Sequence, residues 1–246
     1  MNNKLLKKIC GIFGYRLIDK KTFKNNRILA KNSSLKIKNL LNFYFSRGKI
    51  NSIVQIGAND GISFDELNYF IKKFKIESLL VEPIKQNFEL LKKNYQNLNF
   101  VKFENSAISV NNEISHLYRV APEFIDNYDN HIPAIPSFNI EHLLKHGVRN
   151  KHIIKEKTNS ISIKELLNKH DIKHFDLFYL DAEGYDGKIV YDFLLNINIR
   201  PLIIFEFVHL EGNILEKLIS QLLEKDYLYF QVEENLFCLP KEKLNN

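Results

Sequence analysis

The sequence predicts an α/β fold, an open, doubly wound and mostly parallel sheet of the Rossmann-like type. From residue 52 onward, short apolar runs of strand length alternate with stretches whose apolar side chains recur at helical spacing. Residues 175–180 are predominantly apolar, as in strands buried on both faces of a parallel sheet. The 246 residues are 45% hydrophobic and 26% charged, which suits one domain with a sizeable core and excludes collagen, low-complexity and disulfide-scaffold classes.

Each expected element follows from a local pattern. β-Branched and aromatic residues predict strands at residues 52–57, 78–81, 100–103, 114–120, 175–180 and 202–207, the fourth of them at a sheet edge. Apolar residues three and four apart predict helices at residues 64–74, 88–95 and 214–223, and a helix that ends near residue 195. Ser162 and Glu165 form a capping box, which opens a further short helix. Alternation at residues 227–231 and 236–239 predicts a C-terminal antiparallel hairpin.

Charge divides the chain into a basic N-terminal helical arm, residues 1–49, and an acidic domain, residues 50–246. The first fifty residues hold thirteen Lys and Arg against one Asp, a net charge of +12, whereas the whole chain carries +6. The domain is interrupted at residues 121–159, where three of the six prolines and four of the eight histidines lie. We expect these residues to form an insertion over one face of the sheet.

The basic N-terminal arm, together with the absence of long apolar runs, indicates the kind of partner and the cellular location to expect. No apolar run reaches the roughly 18 residues of a membrane-spanning helix, and no signal-peptide core is recognisable, so we expect a cytoplasmic protein. In residues 1–24, apolar side chains share a helical face opposite lysines, a pattern typical of peripheral contact with an anionic inner-membrane surface. The same face fits packing on the domain equally well. Nucleic acid is disfavoured as a partner, because the acidic domain would repel a phosphate backbone.

Residues that follow the strands are candidates for ligand binding, because ligands bind beyond the carboxyl ends of parallel strands. Gly57 and Gly61 frame the turn after the first strand, and their missing side chains permit a close backbone approach. Glu82 follows the next strand, near the spacing of about 20 residues at which an acid binds ribose hydroxyls. Because the pattern is not G-x-G-x-x-G, an adenosine-bearing cofactor smaller than a dinucleotide is favoured.

Four motifs carry a resemblance to a known family. They are VQIGANDG at residues 54–61, LVEP at residues 80–83, NSAI at residues 105–108 and LDAEGYD at residues 180–186. In this order and spacing, the chain resembles the FkbM family of S-adenosylmethionine-dependent methyltransferases. The resemblance covers roughly residues 50 to 210 and implies a sheet of the class I methyltransferase type.

The resemblance also assigns binding roles within these motifs. The cofactor would be held by Gly57, Asn59 and Gly61 at its methionine part, by Glu82 at its ribose, and by Ser106 and Ala107 at its adenine. Gln55 departs from the wider class, which often has an acid at this position. Asp181 is therefore the alternative partner for the amino group of the cofactor.

The candidates for chemistry follow two buried strands, where the resemblance places the reacting centre: Asp181, Glu183, Glu206 and His209. Methyl transfer is an in-line displacement that needs a positioned acceptor and a base. We expect Asp181 to position the cofactor or to act as the base. Glu206 and His209 are expected to bind the acceptor, with His209 as a proton acceptor near neutral pH. Glu183 fits equally a cap of the next helix, and His209 an ordinary surface residue.

A metal site is not predicted, although the sequence leaves one open. Carboxylates suit Mg²⁺, so Asp181, Glu183 and Glu206 are conceivable ligands, but no spacing defines their geometry. His142 and His146 lie four residues apart in a helical stretch, yet Leu143 follows the first histidine where zinc metalloproteases have glutamate. We therefore interpret the two histidines as part of a solvated helix face.

Oxygen is the expected methyl acceptor, because the proline pair typical of amino-methylating enzymes is absent after Asp181. The insertion has the aromatic and polar mixture that binds sugars or polar natural products: Phe124, Asp126, Asn127, Tyr128, Asn130, Ser137 and Phe138. We expect O-methylation of a hydroxyl on a sugar, a glycan or a polar small molecule. Two alternatives remain, an RNA-directed methyltransferase or nucleic-acid-binding module that uses the basic arm, and a non-catalytic interaction domain of the same fold.

Overall fold

The computed structural model describes residues 36–110, 116–129, 132, 136–210 and 212–243. Most of the predicted arm, including residues 1–24 with their proposed membrane face, lies outside these ranges and stays a prediction. Within them, every helix is too short or too polar to cross a lipid bilayer.

The described residues form eleven strands and seven α-helices. The strands are β1 Ser52–Ile56, β2 Glu77–Val81, β3 Val101–Glu104, β4 Ala107–Ile108, β5 His116–Val120, β6 Ile153–Lys157, β7 Ser160–Ile161, β8 Leu177–Leu180, β9 Leu202–Glu206, β10 Tyr227–Val232 and β11 Asn235–Pro240. The helices are α1 Ile37–Ser46, α2 Asn68–Phe74, α3 Lys85–Asn94, α4 Ile140–Lys145, α5 Ile163–Lys169, α6 Asp186–Asn196 and α7 Gly212–Glu224.

Seven strands form a central sheet in the order β10-β11-β9-β8-β1-β2-β3. The neighbours from β9 to β3 are parallel, whereas β11 is antiparallel to β9 and to β10. The strand order reverses between β1 and β8, which creates a switch point where open α/β sheets bind their ligands. The predicted mostly parallel sheet and its C-terminal antiparallel hairpin are therefore confirmed.

Helices cover both faces of the sheet. α1, α2 and α3 pack on one face, and α5, α6 and α7 pack on the other. Successive side chains of β8 alternate between the two layers, with Leu177 and Tyr179 on the first and Phe178 and Leu180 on the second. All four are buried, which explains why this strand is apolar without alternation.

The end of the predicted arm forms α1 and belongs to the core. Ile37, Leu41 and Phe45 share one face of α1 and are at most 5% exposed. The ring of Phe45 stacks on that of Phe70 in α2, with 4.8 Å between centroids. The backbone N–H of Ile37 donates to Glu233 Oε2 in the β10–β11 turn at 2.9 Å. These contacts attach α1 to both ends of the domain.

β5, β6 and the described residues between them, which include most of the predicted insertion, form a small unit with its own core. β5 pairs with β6 in a separate two-stranded antiparallel sheet, so the edge strand predicted at residues 114–120 is present over residues 116–120 but does not belong to the central sheet. The partner of β5 lies in the predicted insertion, and the edge strands of the central sheet are β10 and β3. Part of the insertion reaches the carboxyl ends of the central strands, where Ser137 Oγ donates to the carbonyl of Glu183 at 3.2 Å.

Most predicted elements lie close to their expected bounds, but the helix expected at residues 64–74 begins only at Asn68. Phe64 has a left-handed backbone with φ of 59°, and Asp65 Oδ1 accepts the N–H of Leu67 at 2.8 Å. These residues therefore form a turn that is incompatible with a first helical turn. The capping box of Ser162 and Glu165 is confirmed.

Truncation of Leu41 tests whether α1 is part of the cooperative core. Leu41 is fully buried, so Leu41→Ala should lower the free energy of unfolding by about 2 to 5 kcal/mol through lost burial and a cavity. Asn42→Ala, at an exposed position of the same helix, should change it by less than about 0.5 kcal/mol. Urea unfolding followed by circular dichroism measures both, and equal effects of the two variants would contradict the packing of α1.

Candidate active site

A cavity lies at the carboxyl ends of β1, β2 and β8, at the switch point of the sheet. Most of the predicted site residues line it: Gly57, Asn59, Glu82, Ser106, Ala107, Asp181 and Glu183. Leu117 of β5 closes one side together with Pro136 and Phe138 of the predicted insertion. The motifs singled out in the sequence thus converge on one concave site.

Gly57 lies where the ends of β1 and β8 approach each other at the cavity. Its φ is +79°, and a Cβ atom at this position would lie 1.9 Å from the carbonyl oxygen of Asp181. Any side chain would therefore push the end of β1 away from the end of β8. Glycine at this position is required by the contact between strands as well as by the turn.

Gly61 allows a close approach behind the turn that follows β1, while its predicted contact with a cofactor stays a prediction. It is buried, its φ is +73°, and a Cβ atom would lie 2.5 Å from side-chain atoms of Leu91 and Tyr95. It is not among the residues that line the cavity. The close approach that Gly61 permits in this structure is that of α3 and the residue after it, which lie behind the turn.

Glu82 is a buried carboxylate in the cavity wall. Its Oε2 accepts the backbone N–H of Asn59 at 2.9 Å, and its Oε1 accepts that of Ile84 at 2.8 Å. Burial, with smaller contributions from the charges of Asp181 and Asp60, raises the pKa of Glu82 to about 7. Each carboxylate oxygen has lone pairs for a second donor, so the group can also accept hydrogen bonds from a ligand.

Gln55 presents a buried acceptor in the cavity wall. Its Nε2 donates to Asp65 Oδ1 at 3.2 Å, while Oε1 is buried and has no hydrogen-bond partner among the described residues. The carboxylate of Asp65 also accepts the N–H of Leu67, and burial raises its pKa to about 6. An orphaned acceptor of this kind is costly unless a ligand donates to it.

The turn after β8 presents Asp181 and is organised by Asp186. The Asp181 side chain is exposed to the cavity, yet desolvation by the surrounding protein and the charges of Asp186 and Glu66 raise its pKa to about 7. Asp186 is fully buried and accepts the backbone N–H groups of Ala182 at 3.0 Å and of Gly184 at 3.2 Å. Sequence reasoning did not assign Asp186, although it ends the LDAEGYD motif.

The cavity is acidic. Five carboxylates line it: Asp65, Glu66, Glu82, Asp181 and Glu183. In the described part of the lining, no Lys or Arg accompanies them. Glu66 Oε2 accepts the hydroxyl of Tyr179 at 2.9 Å, a pair that sequence reasoning missed because the partners are far apart in the chain. The acidic residues favour a positively charged ligand and oppose a phosphate group.

Glu206 and His209 lie together beside Glu183. The His209 Nε2 atom is 3.5 Å from Glu206 Oε1, and one ligand atom of each of the three residues lies within 4.8 Å of the others. Burial, followed by the charges of Asp181 and Glu206, raises the pKa of Glu183 well above its ordinary value. The group of Asp181, Glu183 and Glu206 considered from the sequence is thus replaced by one in which His209 takes the place of Asp181.

The interpretation of His142 and His146 as a solvated face is wrong. The His142 side chain is only 10% exposed, and its Nε2 lies 3.1 Å from Glu183 Oε2. Its ring also contacts that of His209, with 4.9 Å between centroids. The short helix α4 packs this face against the turns after β8 and β9, a contact that helical spacing alone does not reveal.

The aromatic residues of the insertion divide between its core and the cavity. The ring of Phe124 stacks on that of His152 at 4.0 Å, and Tyr128 Oη lies 2.7 Å from His152 Nδ1. Both aromatic residues therefore pack within the insertion. Among the predicted sugar-binding residues that the structure describes, only Phe138 lines the cavity. Asn130 lies outside the described residues.

The reversing parallel sheet, its antiparallel hairpin and the acidic switch-point cavity define a Rossmann-like fold of the class I methyltransferase type. The family model described as the methyltransferase FkbM domain matches residues 55–229 of this chain. The chain therefore belongs to the FkbM methyltransferase family.

Similar solved structures are distant in sequence. An O-methyltransferase from Bacillus cereus in complex with SAH has 8% identity and a TM-score of 0.43, with 96% of this chain and 97% of that chain covered. The methyltransferase FkbM from Methylobacillus flagellatus KT has 14% identity and a TM-score of 0.42, with 77% and 44% covered. A ribosomal protein L11 methylase from Lactobacillus delbrueckii subsp. bulgaricus has 12% identity and a TM-score of 0.37, with 80% and 73% covered. No curated protein matches the sequence significantly.

The raised pKa of Glu82 predicts a pH-dependent cost to stability. A carboxyl group whose pKa rises on folding stabilises the protein at low pH, and this contribution is lost as the pH rises through the folded-state value of about 7. Relative to the wild type, Glu82→Gln should therefore gain roughly 2 kcal/mol of unfolding free energy between pH 5 and pH 8. Urea unfolding at the two pH values measures the gain, and the exposed Glu89→Gln is the matched control. If the difference in unfolding free energy between Glu82→Gln and the wild type did not change with pH, folding would not raise the pKa of Glu82.

Proposed function

We propose that this protein is an S-adenosylmethionine-dependent O-methyltransferase that acts on a hydroxyl of a sugar, a glycan or a polar natural product. The observation that carries the proposal is the acidic cavity at the switch point, with five carboxylates in its wall. S-adenosylmethionine has a positive sulfonium and a positive ammonium group, which such a wall stabilises. The pyrophosphate of a dinucleotide would be repelled by the same residues.

The residues of the cavity fit the parts of this cofactor. Glu82 can accept hydrogen bonds from ribose hydroxyls, because both of its oxygens retain acceptor capacity. Ser106 and Ala107 offer a wall to the adenine. The orphaned Oε1 of Gln55 suits the ammonium group, so this position needs no acid to serve the cofactor. When bound, the cofactor supplies an electrophilic methyl group on a positively charged sulfur.

Asp181 is proposed to act as the general base that accepts the proton of the acceptor hydroxyl. It is exposed to the cavity, and its pKa of about 7 makes a substantial ionised fraction available at neutral pH. In this role the carboxylate orients the acceptor hydroxyl and accepts its proton as the new C–O bond forms. Asp186 acts through the turn that it holds, so it is a positioning residue.

The acceptor is proposed to enter beside the insertion. Phe138 offers an apolar ring at the cavity wall and packs edge-on against Tyr185, with 4.8 Å between centroids. An aromatic wall next to Glu183 matches a ligand with apolar faces and hydroxyl edges, as sugars have. RNA is the less favoured acceptor, since the carboxylates would repel its phosphates.

Cofactor affinity should depend on Glu82. Glu82→Gln removes one acceptor oxygen and the negative charge, so its affinity for S-adenosylmethionine should fall about ten- to hundredfold. Isothermal titration calorimetry measures this loss, and Glu89→Gln on the exposed side of α3 should bind like the wild type. Equal affinities of the Glu82 variant and the wild type would remove Glu82 from the cofactor site. A wild-type chain that binds no cofactor would instead favour the non-catalytic interaction domain.

Methyl transfer should depend on Asp181. Asp181→Asn keeps the size of the side chain but removes the proton acceptor, so turnover should fall by about 100-fold or more while cofactor binding persists. Radiolabelled S-adenosylmethionine incubated with glycan, polyol and RNA acceptors, followed by hydrolysis and mass spectrometry, identifies the methylated class. An O-methyl sugar supports the proposal. Methylated RNA would contradict the proposed acceptor class. Full turnover by Asp181→Asn would contradict the role of Asp181.

A further inference from the structure

Five side chains that commonly bind metals converge beside the cavity from three separate segments. α4 and the residue after it supply His142 and His146, the turn after β8 supplies Glu183, and the end of β9 with its following turn supplies Glu206 and His209. We propose that this cluster binds a divalent first-row transition-metal ion at the acceptor end of the site.

The distances suit a single ion. His142, His146 and His209 each offer a ligand atom within 4.8 Å of the other two, and so do Glu183, Glu206 and His209. His209 belongs to both groups, which therefore overlap in space. Nitrogen and oxygen ligands lie about 2.0 to 2.2 Å from a bound zinc ion, so two ligands of one ion are within about 4 Å of each other. The proposal requires side-chain rotations that shorten the separations from up to 4.8 Å to about 4 Å.

The hydrogen bonding of His146 prepares its ring for such a role. Its Nδ1 lies 2.9 Å from the backbone carbonyl of His142. Since a carbonyl oxygen only accepts hydrogen bonds, Nδ1 carries the proton, and in the neutral ring the lone pair is at Nε2. A backbone carbonyl that selects the tautomer in this way is a common partner of metal-binding histidines.

Burial and charge distinguish the cluster from an ordinary surface group. The side chains of His142, Glu183, Glu206 and His209 are each at most 18% exposed. Glu183 lies against His142, and Glu206 lies near His209. A divalent cation among these side chains would compensate the charge of two carboxylates at close range.

The donor set indicates the class of metal. Three imidazoles and two carboxylates form a mixture that suits zinc, iron, cobalt or nickel, whereas magnesium and calcium prefer oxygen ligands alone. The sequence suggested only a carboxylate group suited to magnesium, because the contribution of α4 could not be seen. Zinc is the appropriate probe, and magnesium is the comparison.

A metal at this position has a consequence for the choice of acceptor, an inference that rests on the proposed function. Glu183 lines the cavity next to Asp181, so the bound ion would face the acceptor. A metal ion can bind two adjacent oxygens of a substrate and thereby orient it. The favoured acceptor is therefore a vicinal diol, as found in a sugar ring, and a lone hydroxyl is a poorer substrate.

Metal binding by the untagged full-length chain tests the site without any methyl transfer. Equilibrium dialysis with Zn²⁺ should give one equivalent bound to the wild type, and Co²⁺ should give the visible absorption bands of a protein-bound ion. His209→Gln and His142→Gln should each weaken Zn²⁺ binding at least about tenfold. Mg²⁺ at the same concentration should not displace the zinc.

His174→Gln is the matched control, because His174 is 67% exposed and pairs with Asp176 away from the cluster. It should bind zinc like the wild type. Circular dichroism and titration with S-adenosylmethionine show whether each variant is folded. Less than one equivalent of zinc on the wild type, or equal zinc affinity of folded His209→Gln, overturns the site. A wild type that binds zinc but no S-adenosylmethionine would contradict the proposed function and leave the metal site intact.

Discussion

The contact between Gly57 and the carbonyl of Asp181 holds the two halves of the site together. β1 leads to the proposed cofactor end and β8 leads to the turn that presents Asp181, and the sheet places the two strands side by side. Because glycine has no Cβ atom, the two strand ends can approach to a separation that any other residue would prevent. The cavity, its acidic wall and the turn that presents Asp181 all depend on this approach.

The acidic wall is a cost that the fold carries in the absence of a ligand. Burial raises the pKa of Glu82, Asp65 and Asp186 above the values of free side chains, because removing a carboxylate from water penalises its charged form. Backbone N–H groups offset part of this cost at Glu82 and at Asp186. A cationic ligand would offset the rest. The site is thus built to be more stable with a positive charge inside it.

The sheet and the predicted insertion contribute different parts of the site, because of their positions in the topology. The switch point is a property of the parallel sheet, and the turns after β1 and β2 at this point form the proposed cofactor end. The insertion adds Phe138 and the histidine face of α4, which reach the turns after β8 and β9. Substrate choice can therefore change through the insertion while the cofactor end stays as it is.

Local patterns in the sequence determined the alternation of strands and helices, the capping box at Ser162, the C-terminal hairpin and the motif that contains Asp181. These features depend on periodicity and on turn chemistry within a few residues, so they are visible without a structure. Only the tertiary structure decided that Gly61 packs against α3, that β5 pairs with β6, and that His142 contacts Glu183. Each of these contacts joins residues far apart in the chain. Their partners are selected by how whole elements pack, and no local pattern records that choice.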